Sequence, residues 1–352
     1  MRTQSTSRGL GRDRLLAAAF VVLVSTAIVG FSASDTGASF TGSTTNPGES
    51  WNTATVQAPT SPTATSAVAG AVNLGWTAST STPVGSQTKT YLVLRRPAGS
   101  GSYVQVGSAT AALTASDTPA SDGSYDYVIQ TKIAQGAGFF TSVNSAVQTV
   151  KSDRTAPTMS ITCNAAACSA GWYTAAVSVV VTGNDGAGVG MGSVTTKIDA
   201  AAAVVTAGSS ASISVSGDSA GHTVVYSGQD AVTNATGNTS QTIKIDGTAP
   251  TAATGITGAK GLNTGQIALS WTAGTDALSG VAGYTIHRTG VVASCPATST
   301  ANYPNAVSVG AVTSTTVSGM VSGSKYCFYL TTNDVAGNAS ANSAASALLT
   351  AK

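Results

Sequence analysis

Charged side chains are scarce in this sequence. They make up 9% of its 352 residues, with 16 Lys and Arg against 14 Asp and Glu. A protein that binds nucleic acid needs a concentrated group of Lys and Arg to neutralise phosphates, and the sequence has no such group beyond its basic N-terminus. We therefore expect no nucleic-acid partner.

Histidine is the second shortage. The two histidines, His222 and His287, lie 287 − 222 = 65 residues apart, and neither accompanies a Ser or Cys in a recognisable nucleophile motif. The Asp residues stand singly in turn-like stretches, where their side chains bond the backbone, and not as the convergent pair that a glycosidase requires. We therefore expect no catalytic residues, no enzymatic activity and no cofactor.

Small and β-branched residues are abundant where charged residues are scarce. Thr, Val, Ser and Gly are abundant, and this composition favours strands and turns over helices. Val72, Leu74 and Trp76 alternate with polar or small residues, as in a half-buried strand. Strongly disordered chains combine high net charge with few β-branched residues, so the pattern predicts an all-β fold instead.

The N-terminus combines basic residues with an apolar run. Arg2, Arg8, Arg12 and Arg14 precede residues 15–30, a pattern typical of an export signal. The run is shorter than the roughly 20 apolar residues of a spanning helix, which favours cleavage over retention as an anchor. We assign residues 1–34 to a signal peptide or signal-anchor helix. The protein is then exported, and it contacts a membrane only through this segment if it stays uncleaved.

Residues 35–59 form a polar leader and linker. The stretch that begins Ala38-Ser39-Phe40-Thr41 and ends at Trp51 resembles the start of exported Gram-positive surface proteins, among them the fibre-forming TasA/camelysin group. The resemblance covers only this short stretch. It implies processing by a dedicated signal peptidase, whereas the alternative is a plain polar leader.

A five-residue joint occurs twice. Asp153-Arg154-Thr155-Ala156-Pro157 returns as Asp246-Gly247-Thr248-Ala249-Pro250, 246 − 153 = 93 residues later. Pro fixes φ and holds the preceding residue extended, and this spacing suits one seven-stranded β-sandwich. The joints therefore predict three modules, at residues 60–152, 153–247 and 248–352.

The first and third modules share an aromatic pattern. Each has a strand Trp, a Tyr that opens the next long strand, and a late Tyr after a Gly turn: Trp76, Tyr91 and Tyr125, then Trp271, Tyr284 and Tyr326. Both modules resemble the fibronectin type III domain. The resemblance implies a two-sheet sandwich and a corner in which the late Tyr hydroxyl bonds the backbone. It implies no particular activity.

The middle module carries different motifs. They are Trp172 near the first strand, Gly221-His222-Thr223-Val224-Val225-Tyr226, and an Asp hairpin from Asp230 to Asn238 that contains an insertion relative to its tighter counterpart from Asp334 to Asn338. This module resembles the bacterial Ig-like domains of surface proteins. The predicted fold is therefore three tandem Ig-like or fibronectin type III β-sandwiches after an export helix, in an exported protein of the Gram-positive, actinobacterial type.

Four cysteines in an exported chain predict disulfides. Each pair falls within one module, Cys163 with Cys168 and Cys295 with Cys327. A zinc site would need paired Cys-x-x-Cys spacing with nearby ligands, and the sequence has neither. We therefore expect two disulfides.

Asp185, Asp230, Asn234 and Asn238 are candidate calcium ligands on loops of the middle module. Ca²⁺ takes six to eight oxygens, usually from several carboxylates. Two Asp make a weak site, so we assign no metal.

Three aromatic residues, Tyr103, Tyr303 and Trp172, are candidates for stacking on sugar rings, with core or interface packing as the favoured alternative. His287 is expected on a strand, where it would face solvent.

The sequence favours a non-enzymatic spacer, adhesin or matrix protein of the cell surface or secreted fraction. Its partner would be an extracellular protein or a cell-wall polysaccharide. One alternative is a carbohydrate-binding accessory protein of a secreted polysaccharide-degrading system. Another, which rests on the leader, is a subunit of a surface fibre.

Overall fold

A computed structural model describes residues 55–352 of the protein. This part of the chain is all-β, with one short 3-10 turn at Val68–Gly70. The chain divides into two compact units between Thr155 and Ala156; the first holds the first module and the second holds the other two. The predicted export segment lies outside the described residues, and within them no helix is long and apolar enough to cross a membrane.

The first module has eight strands: β1 (Thr60–Ser66), β2 (Val72–Thr77), β3 (Thr88–Pro97), β4 (Val104–Thr110), β5 (Thr114–Asp117), β6 (Gly123–Gln135), β7 (Gly138–Thr141) and β8 (Gln148–Ser152). One sheet has the order β1-β2-β5. The other has the order β4-β3-β6-β7, and β8 also pairs with β6. Alternate residues of β2 and β3 meet between the sheets, where Trp76 and Tyr91 are buried.

The second module also has eight strands: β9 (Thr158–Cys163), β10 (Trp172–Tyr173), β11 (Val177–Asn184), β12 (Met191–Ile198), β13 (Val204–Ala207), β14 (Ser210–Val215), β15 (Ser219–Asp230) and β16 (Thr239–Ile245). The sheets have the orders β14-β11-β9 and β10-β16-β15-β12-β13. Val177, Val179 and Val181 alternate with polar or less buried residues along β11 and are fully buried in the core, as period-2 patterning predicts.

The third module repeats the layout of the first: β17 (Thr254–Lys260), β18 (Ile267–Thr272), β19 (Val281–Arg288), β20 (Asn305–Gly310), β21 (Ser314–Val317), β22 (Lys325–Tyr326), β23 (Phe328–Asp334) and β24 (Leu349–Thr350). Its sheets have the orders β17-β18-β21, β20-β19-β23 and β22-β24. The main core lies around Trp271 and Tyr284. A smaller cluster forms around Tyr303, Cys327 and Tyr329.

Three serines form the hydrogen bonds along one edge of β23 that a neighbouring strand would otherwise form. Ser340, Ser343 and Ser346 recur every third residue, and each donates its N–H to a carbonyl of β23. Each hydroxyl oxygen also accepts an N–H from the same strand residue, as Ser343 does from Leu330 at 2.8 Å. The buried N–H groups of β23 are thereby satisfied without a continuous partner strand.

The same device occurs in the first module. Ser142 and Ser145 accept the N–H groups of Thr131 and Ile129 on β6, both at 2.9 Å. The repeated Ser-x-x-Ser spacing is therefore a structural feature that the first and third modules share.

Candidate functional site at the module joint

Both predicted disulfide pairs are joined in the structure. Cys163 and Cys168 have Cα atoms 4.8 Å apart, and Cys295 and Cys327 have Cα atoms 5.6 Å apart. Each bond lies within one module. The second ties the loop between β19 and β20 to the start of β23, over the small cluster of Tyr303 and Tyr329.

The aromatic signature residues lie in equivalent places in the first and third modules. Trp76 packs edge-on against Tyr91 with ring centroids 5.6 Å apart, and Trp271 packs on Tyr284 at 5.3 Å. These contacts fix the long β3 and β19 strands against the opposing sheets.

The late tyrosines close both corners. The Tyr326 hydroxyl accepts the N–H of Val321 at 2.9 Å, and the Tyr125 hydroxyl donates to the carbonyl of Ser121 at 2.9 Å. The first module therefore has the expected corner as well.

The first joint is clamped by an aspartate of its own module. The Asp122 carboxylate accepts the backbone N–H of Arg154 at 3.0 Å and the hydroxyl of Thr155. The Thr155 hydroxyl is the main cause that lowers the pKa of Asp122. Asp153 in turn accepts the N–H of Thr155 at 3.1 Å, so two carboxylates fix the same residue of the joint.

The second joint has the same construction. The Asp218 carboxylate accepts the N–H of Gly247 at 2.8 Å and the hydroxyl of Thr248 at 2.5 Å, and the Thr248 hydroxyl is the main cause that lowers the pKa of Asp218. Asp246 accepts the N–H of Thr248 at 3.1 Å. The Asp-x-Thr-Ala-Pro repeat thus encodes a clamp whose second carboxylate comes from a turn about 30 residues earlier, as the separation of Asp218 and Thr248 shows.

Asp246 also bonds to the third module. Its other carboxylate oxygen accepts the N–H of Ser279 at 3.0 Å, and its backbone carbonyl accepts the side-chain amide of Asn338 at 2.8 Å. Asp246 is fully buried. One residue therefore belongs to the hydrogen-bond networks of both modules, which limits how far the second and third modules can turn on this joint.

Two more carboxylates lie close to that of Asp246. Asp246, Asp276 and Asp334 each place one oxygen within 4.8 Å of the others. Carboxylate oxygens are the ligands that hard cations such as Ca²⁺ prefer, so these are side chains that could hold a metal ion. Sequence reasoning missed the group because its members are 276 − 246 = 30 and 334 − 276 = 58 residues apart.

The predicted calcium candidates are brought together only in part. Asp185 and Asp230 have carboxylate oxygens within 4.8 Å of each other, and the Asn234 side chain donates to Asp230 at 2.6 Å. Asn238 is exposed beyond this turn. The structure therefore brings Asp185, Asp230 and Asn234 together and leaves Asn238 apart from them.

The Asp hairpin of the middle module contains no insertion, contrary to the expectation from sequence. Asp230 accepts the N–H and the side-chain amide of Asn234, as Asp334 does from Asn338. The true counterpart of Asn338 is therefore Asn234. Thr233 takes the place of Gly337, and its φ is 72° where the glycine has 106°.

Replacing Thr233 by Gly should stabilise the middle module by about 1 kcal/mol. A β-branched residue at positive φ costs about 1–3 kcal/mol, while Gly costs about 0.5–1 kcal/mol more in unfolded-chain entropy. Chemical denaturation of the full chain measures the change. The matched control is Gly337→Thr, which should destabilise the third module; a neutral or destabilising Thr233→Gly substitution would contradict the assignment of strain to this position.

The two histidines have different surroundings. His287 does not face solvent as expected, because its ring stacks on Tyr329 with centroids 4.4 Å apart, and burial lowers its pKa. His222 contacts Asp199, whose hydrogen bond raises its pKa. The two ring nitrogens of His222 thus face Asp199 and the backbone carbonyl of Gly217.

The candidate sugar-stacking residues contact other side chains of the protein. Tyr303 is 1% exposed and belongs to the small cluster of the third module, which agrees with the favoured core-packing role. The guanidinium of Arg96 lies 4.5 Å from the centre of the Tyr103 ring, and the Lys244 amine lies 5.9 Å from the Trp172 ring. These rings pack against the protein's own side chains.

Comparisons with known proteins assign no family. No family model matches the sequence, and no curated protein matches it. Among solved structures, the FN1-FN3 domains of chicken CNTN1 are 15% identical, with 85% of this chain and 100% of that chain covered at a TM-score of 0.36. Domains A168-A170 of titin are 11% identical, with 84% and 98% covered at a TM-score of 0.42. At these values neither likeness assigns a family or a function to the chain.

Proposed function

We propose that the protein is a non-enzymatic extracellular protein of tandem β-sandwich modules that acts as a spacer or interaction module at the cell surface. The observation that carries the proposal is Asp246, which is hydrogen-bonded both to its own joint and to Ser279 and Asn338 of the next module. A joint of this kind holds neighbouring modules in a defined arrangement, which is what a spacer or a display scaffold requires.

Export agrees with the two disulfides. Disulfides form and persist in oxidising compartments, and all four cysteines are paired. The basic and apolar N-terminal residues provide the export signal in this proposal. The Gram-positive origin and the cleavage of the signal belong to the proposal as well.

The hydrogen bonds of three aspartates support the non-enzymatic part of the proposal. Asp122 and Asp218 bind joint backbone and hydroxyl groups, and Asp199 binds His222 and a backbone N–H. These hydrogen bonds support a structural role for the three carboxylates in the turns and at the joints.

The test is to locate the protein in producing cells and assay the purified chain. We expect it in the medium or on protease-accessible cell surface, with no hydrolysis of cell-wall polysaccharide, chitin or cellulose. Hydrolysis by the purified chain, or recovery from the cytoplasm, would contradict the proposal.

The same preparation separates the possible roles. Retention on a polysaccharide column without hydrolysis would identify the carbohydrate-binding accessory role, and filaments in electron micrographs of the secreted fraction would identify the fibre role. Dispersed protein that binds a surface protein supports the spacer or adhesin role.

A further inference from the structure

Both ring nitrogens of His222 contact oxygen acceptors. Nδ1 lies 2.7 Å from a carboxylate oxygen of Asp199, and Nε2 lies 2.9 Å from the backbone carbonyl of Gly217. A carboxylate and a carbonyl accept hydrogen bonds and donate none, so both ring nitrogens must carry hydrogen. Only the imidazolium form of histidine has two N–H donors. The geometry around His222 is therefore that of the protonated side chain.

Asp199 is built to remain ionised beside this ring. It lies directly after β12, and it also accepts the N–H of Thr223 at 2.7 Å. The bond from His222 and then the bond from Thr223 lower the pKa of Asp199. The Asp199 bond and then the Gly217 carbonyl raise the pKa of His222, against a smaller opposing effect of burial.

Other ionisable groups on the surrounding elements are Lys197 on β12, Lys244 on β16, whose amine lies over the Trp172 ring, and Asp218 in the turn before β15, which holds the joint. Within residues 55–352, Asp199 is the charged group that raises the pKa of the His222 ring. The protonation of His222 thus depends chiefly on a single carboxylate and a single carbonyl.

The carbonyl that His222 binds belongs to the turn that clamps the second joint. Gly217 has φ of 91°, and the next residue, Asp218, holds Gly247 and Thr248 through its carboxylate. The turn is therefore fixed at one side by the imidazolium and at the other side by the joint. A change in the protonation of His222 therefore acts on the joint through Gly217 and Asp218.

We propose that His222 is a proton-operated latch on the joint between the second and third modules. With the proton in place, the imidazolium holds the Gly217 carbonyl and keeps Asp218 aimed at Gly247 and Thr248. Loss of the proton leaves one ring nitrogen as an acceptor. The Asp199 carboxylate is the stronger acceptor and keeps the remaining N–H at Nδ1, so Nε2 faces the Gly217 carbonyl without a hydrogen between them and the turn is released.

The direction of the pH effect follows from the raised pKa of His222. A group whose pKa is higher in the folded protein stabilises fully below its unfolded pKa, about 6.5 for His, and loses that contribution as pH rises through the folded value. The latch is therefore closed in mildly acidic conditions and opens as the pH rises above this range.

The test is an NMR titration of the full chain with labelled histidine and labelled glycine and threonine. The sequence has two histidines, so His287 serves as an internal control with a lowered pKa. We expect one imidazole to titrate above pH 6.5 and the other below it. The amides of Gly247 and Thr248 should shift with the midpoint of the higher one.

Three variants assign the two imidazole titrations and test whether Asp199 raises the pKa of His222. Asp199→Asn should lower the upper midpoint, and His222→Gln should abolish the pH response of the joint amides, whereas His287→Gln should leave it in place. If His222→Gln fails to fold, the titration of the unaltered chain still decides the question. A His222 midpoint at or below 6.5, or joint amides that do not respond while His222 titrates, would overturn the proposal.

Discussion

Replacing both Cys295 and Cys327 by alanine should lower the free energy of unfolding of the third module by about 3–4 kcal/mol. The bond spans 32 residues, and its removal restores the chain entropy of that loop to the unfolded state. It also frees the loop between β19 and β20, whose Tyr303 packs on Tyr329. Chemical denaturation of the full chain, followed by a probe in the third module, measures the loss.

The other disulfide provides the matched comparison. Cys163 and Cys168 are five residues apart, so Cys163→Ala with Cys168→Ala should cost only about 2 kcal/mol, in the second module. Thiol titration of the unaltered, denatured chain should find no free thiol. An equal or smaller loss for the longer loop, or two free thiols per chain, would contradict this account of the disulfides.

Ser343→Ala should destabilise the third module by about 1–3 kcal/mol. The Ser343 hydroxyl accepts the N–H of Leu330 at 2.8 Å, and both residues are buried. Alanine cannot accept this bond, and water has no ready access to the N–H, so a buried donor loses its partner. Denaturation with the third-module probe gives the size of the effect.

Ser322→Ala is the control for this substitution. Ser322 is exposed in the turn before β22, and surface substitutions of this kind usually change stability by less than about 0.5 kcal/mol. If Ser343→Ala loses no more stability than Ser322→Ala, the Ser343 hydroxyl does not stabilise β23 as described, and the account of this strand pairing is contradicted.

Local patterns predicted the fold well. The alternation around Trp76 and Trp271 gave strands whose inward residues form the cores, and the paired cysteines lie within modules as their spacing suggested. Both features depend on neighbouring residues in the chain or on one redox argument, so the sequence alone suffices to find them.

Long-range partners were the part that the sequence did not reveal. The joint motif was visible, but its second carboxylate, Asp218, lies 30 residues before Thr248. The Gly237-Asn238 pair resembles the Gly337-Asn338 pair of the third module, so the sequence pointed to Asn238 as the end of the Asp230 hairpin. The structural counterpart is Asn234, because Thr233 adopts the positive φ that usually marks glycine. Tyr303, on the disulfide-bound loop, and His287, on β19, both pack on the Tyr329 ring, which strand alternation does not predict.

The central claim is that Asp246 holds the second and third modules in a defined arrangement. Residual dipolar couplings of backbone amides in the full chain, measured at pH 6, test it directly. The account predicts that the amides of residues 158–245 and those of residues 254–350 fit one common alignment tensor, and that Asp246→Ala separates them into two. Two different tensors in the unaltered chain would show that the joint does not fix the modules and would contradict the account.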